Sequence, residues 1–196
     1  MMTLEKFEEA SELVKKVTNS TKLVYSDYLS EQSGGKVYLK PENMQHTGAY
    51  KIRGAYYKIS TLSDEERGRG LITASAGNHA QGVAFAAKKF GCKAVIVMPT
   101  VTPLIKVNRT KSYGAEVILV HDDGDIGKCI EACLAAALRM QEEDDRVFVP
   151  QQFTNPNNPL VHKYHTAAEI LEQAEGPIHG FCSGVGTGGT ISLSLI

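Results

Sequence analysis

Residues 71–98 read LITASAGNHAQGVAFAAKKFGCKAVIVM. The stretch begins with a short apolar run at 71–74 and ends with a second one at 94–98. Between the two runs, residues 80–90 are rich in alanine, and Gly91 follows them, a residue type that commonly ends a helix. Two apolar runs separated by a helical segment predict a strand–helix–strand unit.

The same alternation continues on both sides of this unit. Short apolar runs predict strands, and the segments between these runs have helical periodicity and predict helices. Short continuous apolar strands joined by helices predict an α/β fold, with a parallel sheet covered by helices on both faces. The predicted helices are 5–17, 52–62, 103–113, 126–141 and 163–174, and the further strands are 37–39, 116–120, 147–149 and 178–182.

Composition narrows the class of protein. The 196 residues have a formal net charge of -1 and a hydrophobic content of 42%, which is typical of a soluble globular protein. The chain has no excess of basic residues, so its charge does not predict nucleic-acid binding. No apolar run reaches the roughly 18 residues of a membrane helix. The N-terminus is acidic and amphipathic, unlike a secretory signal, so we expect a cytoplasmic protein. The histidines and cysteines lack metal-ligand spacing, so no metal site is predicted.

Three polar or glycine-rich loops follow predicted strands, at 75–79, 151–155 and 183–190. In open α/β sheets, ligands bind beyond the carboxyl ends of the strands. The three loops are therefore expected to form one cleft.

The loop at 184–190, GVGTGGT, is the most informative of the three. Glycines allow several backbone N–H groups to face one anion, which favours a phosphate site. The loop also matches the dinucleotide pattern G-x-G-x-x-G, whose acidic residue about 20 positions later would lie beyond Ile196. From the residues alone, a phosphate site, a dinucleotide site and a tight strand–helix turn all stay open.

Lys51 is predicted to lie at the start of a helix. A lysine in that place is commonly a solvated surface charge. The positive end of the helix dipole disfavours a cation, however, and would lower the lysine pKa. A lysine with a lowered pKa suits covalent bonding to a carbonyl group.

Three segments carry a family resemblance: VYLKPENMQ at 37–45, TGAYKIRGA at 47–55 and ITASAGNHAQG at 72–82. They are similar to the pyridoxal-phosphate enzymes of the threonine dehydratase and cysteine synthase superfamily, and most similar to threonine dehydratases. The resemblance extends over about residues 17–190. The segments at 151–159 and 184–190 are more similar to cysteine synthase and cystathionine β-synthase.

The resemblance implies a tryptophan synthase β-like fold and a homodimer. Family members are longer, with a small mobile domain inserted in a larger one. By this comparison, residues 50–150 form the small domain, and residues 1–49 and 151–196 form part of the large one. The large domain would then be incomplete.

The resemblance also implies roles for individual residues. Lys51 would bind the cofactor, pyridoxal 5'-phosphate, and then move the substrate Cα proton. Asn78 would hydrogen-bond the oxygen on the cofactor ring. The substrate carboxylate would be bound by Ser75, Gly77, His79 and Gln152. The cofactor phosphate would be bound by Gly186, Thr187, Gly188, Gly189 and Thr190.

The function implied first is β-elimination from L-threonine or L-serine, which yields a 2-oxo acid and ammonia. The segments around residues 51 and 75–82 favour it. The alternative is β-replacement on an activated serine, which Gln152 and the threonine-containing glycine loop favour. A third possibility is a chain that binds without catalysis, since the implied large domain is incomplete.

Overall fold

The computed structural model describes residues 12–121, 126–145, 147–148, 157–186 and 188–191. Its N-terminal part contains helical residues 12–15 and a small antiparallel sheet. In that sheet, β1 (Val24–Tyr25) pairs with β2 (Tyr38–Leu39), and α1 (Asp27–Ser33) connects the two strands. Ser26 caps α1 by accepting a hydrogen bond from the N–H of Leu29. A 3₁₀ turn, Glu42–Met44, then leads toward the first long helix.

The central part of the chain alternates helices and strands, as the sequence predicts. Two helices, α2 and α3, precede β3, which is the first strand of this part. From β3 onward, one helix joins each strand to the next. The elements are α2 (Lys51–Ser60), α3 (Asp64–Arg69), β3 (Leu71–Ala74), α4 (Asn78–Phe90), β4 (Ala94–Pro99), α5 (Leu104–Ser112), β5 (Glu116–Val120), α6 (Ile126–Asp144) and β6 (Val147–Phe148).

The four strands β3 to β6 form one parallel sheet with the order β5-β4-β3-β6. The chain adds β4 and β5 on one side of β3 and then returns to place β6 on the other side. The strand order thus reverses between β3 and β6. Such a reversal opens a crevice at the carboxyl ends of the two strands, which is where open α/β sheets bind ligands.

Helices cover both faces of this sheet, which confirms the α/β prediction. On one face, Leu71, Ile96 and Met98 pack in a core cluster with residues of α2 and α4. On the other face, Ile72, Val95 and Val97 pack against Cys133 and Ala137 of α6. Successive strand residues point to opposite faces, so each strand contributes to both clusters.

The predicted helix ends are largely confirmed. Gly91 ends α4 in the left-handed conformation, with φ 68°. Pro103 directly precedes α5, at the cap position rather than inside the helix. Among the described residues, no helix combines the length and apolarity that would let it cross a membrane.

Two predicted elements need correction. Residues 178–182 form no strand, because the apolar run finds no hydrogen-bonded neighbour among the described residues. The helix predicted at 163–174 is longer and composite. It consists of α7 (Asn157–Val161), a π-helical turn (His162–Thr166) and α8 (Ala167–Gln173). The sequence analysis also missed β1, α1 and α3.

Candidate active site

Lys51 is the first residue of α2 and is half-buried. Burial, and to a smaller extent the positive charge of Lys106, hold the pKa of Lys51 below its ordinary value. The direction agrees with the sequence-based expectation, and its causes are burial and the charge of Lys106. A larger share of Lys51 is therefore a neutral amine near neutral pH.

The contact between α2 and α4 places Lys51 beside the loop at 75–79. A Cβ added to Gly82 of α4 would lie 3.2 Å from the carbonyl oxygen of Lys51 and 3.2 Å from Cβ of Ala55. The two helices therefore approach each other almost backbone to backbone. Glycine at position 82 permits this approach, which brings the start of α2 to the start of α4.

The loop between β3 and α4 presents several hydrogen-bond donors. The N–H of Ser75 donates to the carbonyl of Val97 (3.0 Å), and the N–H of Gly77 donates to Oγ of Ser75 (3.4 Å). Within the described residues, the N–H groups of Ala76, Asn78 and His79 have no acceptor. Free donors at the start of a helix favour an anion. This loop lies at the carboxyl end of β3, at the crevice where the strand order reverses.

His79 is 94% buried, and its ring Nε2 has no hydrogen-bond partner among the described residues. Burial, followed by the charge of Lys51, lowers the pKa of His79 to about 4. The imidazole is consequently neutral at neutral pH. A buried ring nitrogen without a partner is a donor or acceptor reserved for a ligand or a water molecule.

The glycine loop and α2 both lie next to the side chain of Asn158. A Cβ added to Gly189 would lie 2.9 to 3.0 Å from the side chain of Asn158 in α7, so a larger residue there would require Asn158 to move. The Asn158 side chain also lies 3.8 Å from the position that a Cβ on Gly54 would take. Asn158 therefore joins the loop to the first turn of α2, which Lys51 begins. Gly188 has φ +78°, a conformation that favours glycine.

A buried ionic cluster holds α2 from the other side. The guanidinium of Arg53, with an exposed fraction of 0%, donates two hydrogen bonds to Glu42 and two to Glu169, each 2.9 Å long. Lys40 forms a further ion pair with Glu169 at 2.8 Å. Burial by itself raises the pKa of Glu42, but Arg53 holds this pKa below its ordinary value. The cluster is paired throughout, as buried charges must be.

The structure thus brings together Lys51, Ser75, Gly77, Asn78 and His79. Through Asn158 it also places Gly189, with its neighbours Gly188 and Thr190, near the first turn of α2. Gly186 is exposed, and a Cβ there would meet no described atom within 4 Å. Gln152 and Thr187 lie outside the described residues. The roles of all these residues stay predictions.

Sequence reasoning missed three contributors: Lys106, Asn158 and the Arg53 cluster. Each gave some signal in the sequence. Lys106 lies three residues after Pro103, on the helix that follows the carboxyl end of β4. Asn158 belongs to the asparagine- and proline-rich segment at 151–159, and Arg53 follows Lys51 by two residues.

The family described as "Pyridoxal-phosphate dependent enzyme" matches residues 14–192. The L-threonine ammonia-lyase of Thermotoga maritima is 47% identical over 192 residues, which cover 98% of this chain and 46% of that protein. The chain therefore spans about half the length of this curated relative.

Two solved structures show the same fold. The processed form of threonine deaminase isoform 2 from Solanum lycopersicum has a TM-score of 0.75 and 34% identity, covering 89% of this chain and 50% of that one. A hydrogen sulfide-producing enzyme from Fusobacterium nucleatum has a TM-score of 0.81 and 30% identity, covering 92% of this chain and 60% of that one.

Proposed function

Because the chain belongs to the family of pyridoxal-phosphate dependent enzymes, we propose that it deaminates L-threonine or L-serine to a 2-oxo acid and ammonia. The L-threonine ammonia-lyase that is 47% identical to it supports this reaction. The supporting structural observation is the position of Lys51, a half-buried amine with a lowered pKa beside a loop with free N–H donors.

The residues present fit the cofactor. Lys51 would form the covalent bond to it, and a neutral amine is the form that reacts with an aldehyde. Asn78 would bind its ring oxygen, and the glycine loop would bind its phosphate. A Cβ at Gly184, Gly186 or Gly188 would meet no atom of the described residues within 4 Å.

When bound, pyridoxal phosphate withdraws the electron pair left at the substrate Cα. The residues of the chain supply binding and proton transfer. In this proposal Nζ of Lys51 would accept the proton from the substrate Cα. Lys51 would then donate this proton to the β-hydroxyl group, so that it leaves as water. Another water molecule releases ammonia, so that the overall products of threonine are 2-oxobutanoate and ammonia.

The loop at 75–79 would hold the substrate carboxylate during this proton transfer. The N–H groups of Ala76, Asn78 and His79 would donate to the carboxylate oxygens, and neutral His79 would leave the local charge unchanged. Fixed donors of this kind orient the Cα–H bond toward Lys51 without reorganisation during the reaction.

The test is reconstitution of the 196-residue chain with pyridoxal phosphate, followed by absorption spectroscopy and an assay for 2-oxo acid. We expect a visible band from the lysine-bound cofactor and product formation from threonine or serine. Both should be lost in Lys51→Ala and retained in Lys58→Ala, a control on the same helix. A folded wild-type chain with a visible band but no 2-oxo acid would refute the deamination.

A second candidate function is β-replacement by a sulfur nucleophile. The loop at 184–190 favours it, because its threonines resemble those of cysteine synthase, and so does the similarity to a hydrogen sulfide-producing enzyme. Reconstituted protein with O-acetylserine and sulfide would then yield cysteine faster than threonine yields 2-oxobutanoate. The opposite order of rates would support deamination.

A chain that binds the cofactor without turnover is the third candidate. This candidate predicts a visible band from the lysine-bound cofactor, with formation of neither 2-oxobutanoate nor cysteine. Three further points stay predictions. They are the homodimer, the cytoplasmic location, and the division into a small domain (50–150) and a partial large domain (1–49 with 151–196).

A further inference from the structure

Lys106 lies on the first turn of α5 and faces the loop at 75–79. Its Nζ lies 3.7 Å from the position that a Cβ on Gly77 would take. Apart from the chain neighbours of Gly77, no other described atom lies within 4 Å of that position. Lys106 is therefore the side chain nearest to this face of the loop, and the remaining space is open to a ligand.

The positive charge of Lys106 has no partner in the described part of the chain. Neither a hydrogen-bond acceptor for Nζ nor a carboxylate within ion-pair distance occurs among those residues. Lys106 is half-buried, and it is close enough to Lys51 for the two positive charges to interact. Two half-buried cations beside a neutral histidine create an excess of positive charge, which favours an anion between them.

The neighbouring donors define what kind of anion fits. The free N–H groups of Ala76, Asn78 and His79 are fixed by the backbone, whereas the lysine ammonium is a mobile point charge with three donors. A carboxylate has two oxygens and can accept from both groups at once. A hydrogen bond to a charged partner is also stronger than one between neutral groups.

We propose that Lys106 is a substrate-binding residue that contacts the carboxylate of the amino acid, opposite the N–H groups of the 75–79 loop. This proposal rests on the proposed function, because it assigns the amino-acid carboxylate to that loop. It adds a positive charge to the neutral N–H donors of that loop. The consequence is selectivity for a free carboxylate over a neutral amide at the same position.

The experiment compares two ligands on protein loaded with pyridoxal phosphate. L-threonine and L-threoninamide share the amine and the hydroxyl group, but only the first has a carboxylate. The dissociation constant of each is measured from the change in the visible band of the lysine-bound cofactor. The variants are Lys106→Met, Lys106→Arg and the control Lys111→Met, which removes an exposed lysine from the same helix.

We expect Lys106→Met to weaken L-threonine binding by roughly ten-fold or more, as for loss of a hydrogen bond to a charged group. Binding of L-threoninamide should stay unchanged. Lys106→Arg should restore most of the loss, and Lys111→Met should resemble the wild type. Equal weakening of both ligands, or no weakening of either, would overturn the proposal.

A second readout does not depend on the cofactor band. Incorporation of lysine labelled with ¹³C at Cε leaves the side chains unmodified and gives each lysine an NMR signal, and the Lys106 signal is identified by its loss in Lys106→Met. This signal should shift with L-threonine and not with L-threoninamide. Carboxylate-dependent binding without 2-oxo acid would refute the deamination alone, whereas product formation with an indifferent Lys106 would refute the role of Lys106 alone.

Discussion

Burial changes the protonation of two side chains at the candidate site. It lowers the pKa of Lys51, and it lowers the pKa of His79 to about 4. The positive charge of a neighbouring lysine lowers each of these two pKa values further. The site therefore combines an amine whose pKa is lowered with a neutral imidazole, and perturbed groups of this kind are typical of sites of proton transfer.

Lys51 should accordingly react as an amine at a lower pH than a free lysine. In the chain without cofactor, we expect half-maximal acetylation of Lys51 at a pH below the ordinary lysine value of about 10.4. Lys106→Met removes one cause of the shift, so the midpoint should then rise. Mass spectrometry of chain labelled at a series of pH values measures this. A midpoint that does not respond to Lys106→Met would contradict the electrostatic link.

Arg53 should contribute strongly to folding, because its loss leaves buried Glu169 and half-buried Glu42 with too few partners. We expect Arg53→Met to lower the free energy of unfolding by about 3–5 kcal/mol, measured by urea denaturation. The control Arg69→Met removes an exposed pair with Asp145 and should cost at most about 1 kcal/mol. Similar losses of unfolding free energy in the two variants would show that the Arg53 cluster stabilises the fold no more than an exposed ion pair does.

At the scale of elements, the crossing of α2 and α4 determines where Lys51 lies. The close approach at Gly82 leaves no room for a larger side chain, since the nearest atoms include backbone atoms of Lys51 and Ile52. Any enlargement must push the start of α2 away from the loop at 75–79. Stability and cofactor binding are therefore coupled at this one glycine.

Gly82→Val is the test of this coupling. We expect it to destabilise the fold by about 1–3 kcal/mol, as overpacking does, and to weaken cofactor binding. Gly68→Ala is the matched control, because a Cβ at that helical position meets nothing within 4 Å. The control should stabilise the chain by up to about 1 kcal/mol. Normal cofactor affinity in a folded Gly82→Val chain would contradict the coupling.

The elements differ in how well the sequence predicted them. Strands β3, β4 and β5 were predicted almost residue by residue, because buried parallel strands read as continuous apolar runs between turn signals. The prediction of a strand at 178–182 was wrong, because an apolar run shows that a strand is possible but not that it has a partner strand. The π-helical turn at His162–Thr166 was missed because it keeps helical periodicity.

The candidate site was predictable only in part. Lys51 and the loop at 75–79 stand in characteristic local motifs, so the sequence could indicate them. Lys106 and Asn158 act through contacts made across the chain, and nothing in their local sequence shows which loop they meet. The long-range pairing of Arg53 with Glu42 and Glu169 was unpredictable for the same reason.

For the whole molecule, burial of histidines predicts sensitivity to mild acid. Burial, with smaller contributions from Arg53, lowers the pKa of both His162 and His165 to about 4, the same value as for His79. The unfolded chain takes up protons at about pH 6.5, whereas the folded chain resists until about pH 4. Stability is therefore full above pH 6.5 and falls as the pH drops toward 4.

Urea denaturation at a series of pH values between 4 and 6.5 measures this loss. His162→Gln should reduce the slope of unfolding free energy against pH, while the exposed His121→Gln should not. Glu42 and Glu169 are a separate contribution: their pKa values are lowered, so their stabilisation is lost only below their ordinary range. A slope that is the same in wild type and His162→Gln would exclude this histidine as a cause.

The strand order of the parallel sheet also has a consequence for folding. Strands β3, β4 and β5 are neighbours both in the chain and in the sheet, whereas β6 returns to β3 only after both other strands. The Leu71–Val147 pair closes the longest chain loop in the sheet, and long loops close late because their entropy cost is greatest. We therefore expect the edge that forms the crevice to assemble last, after the framework around it is already in place.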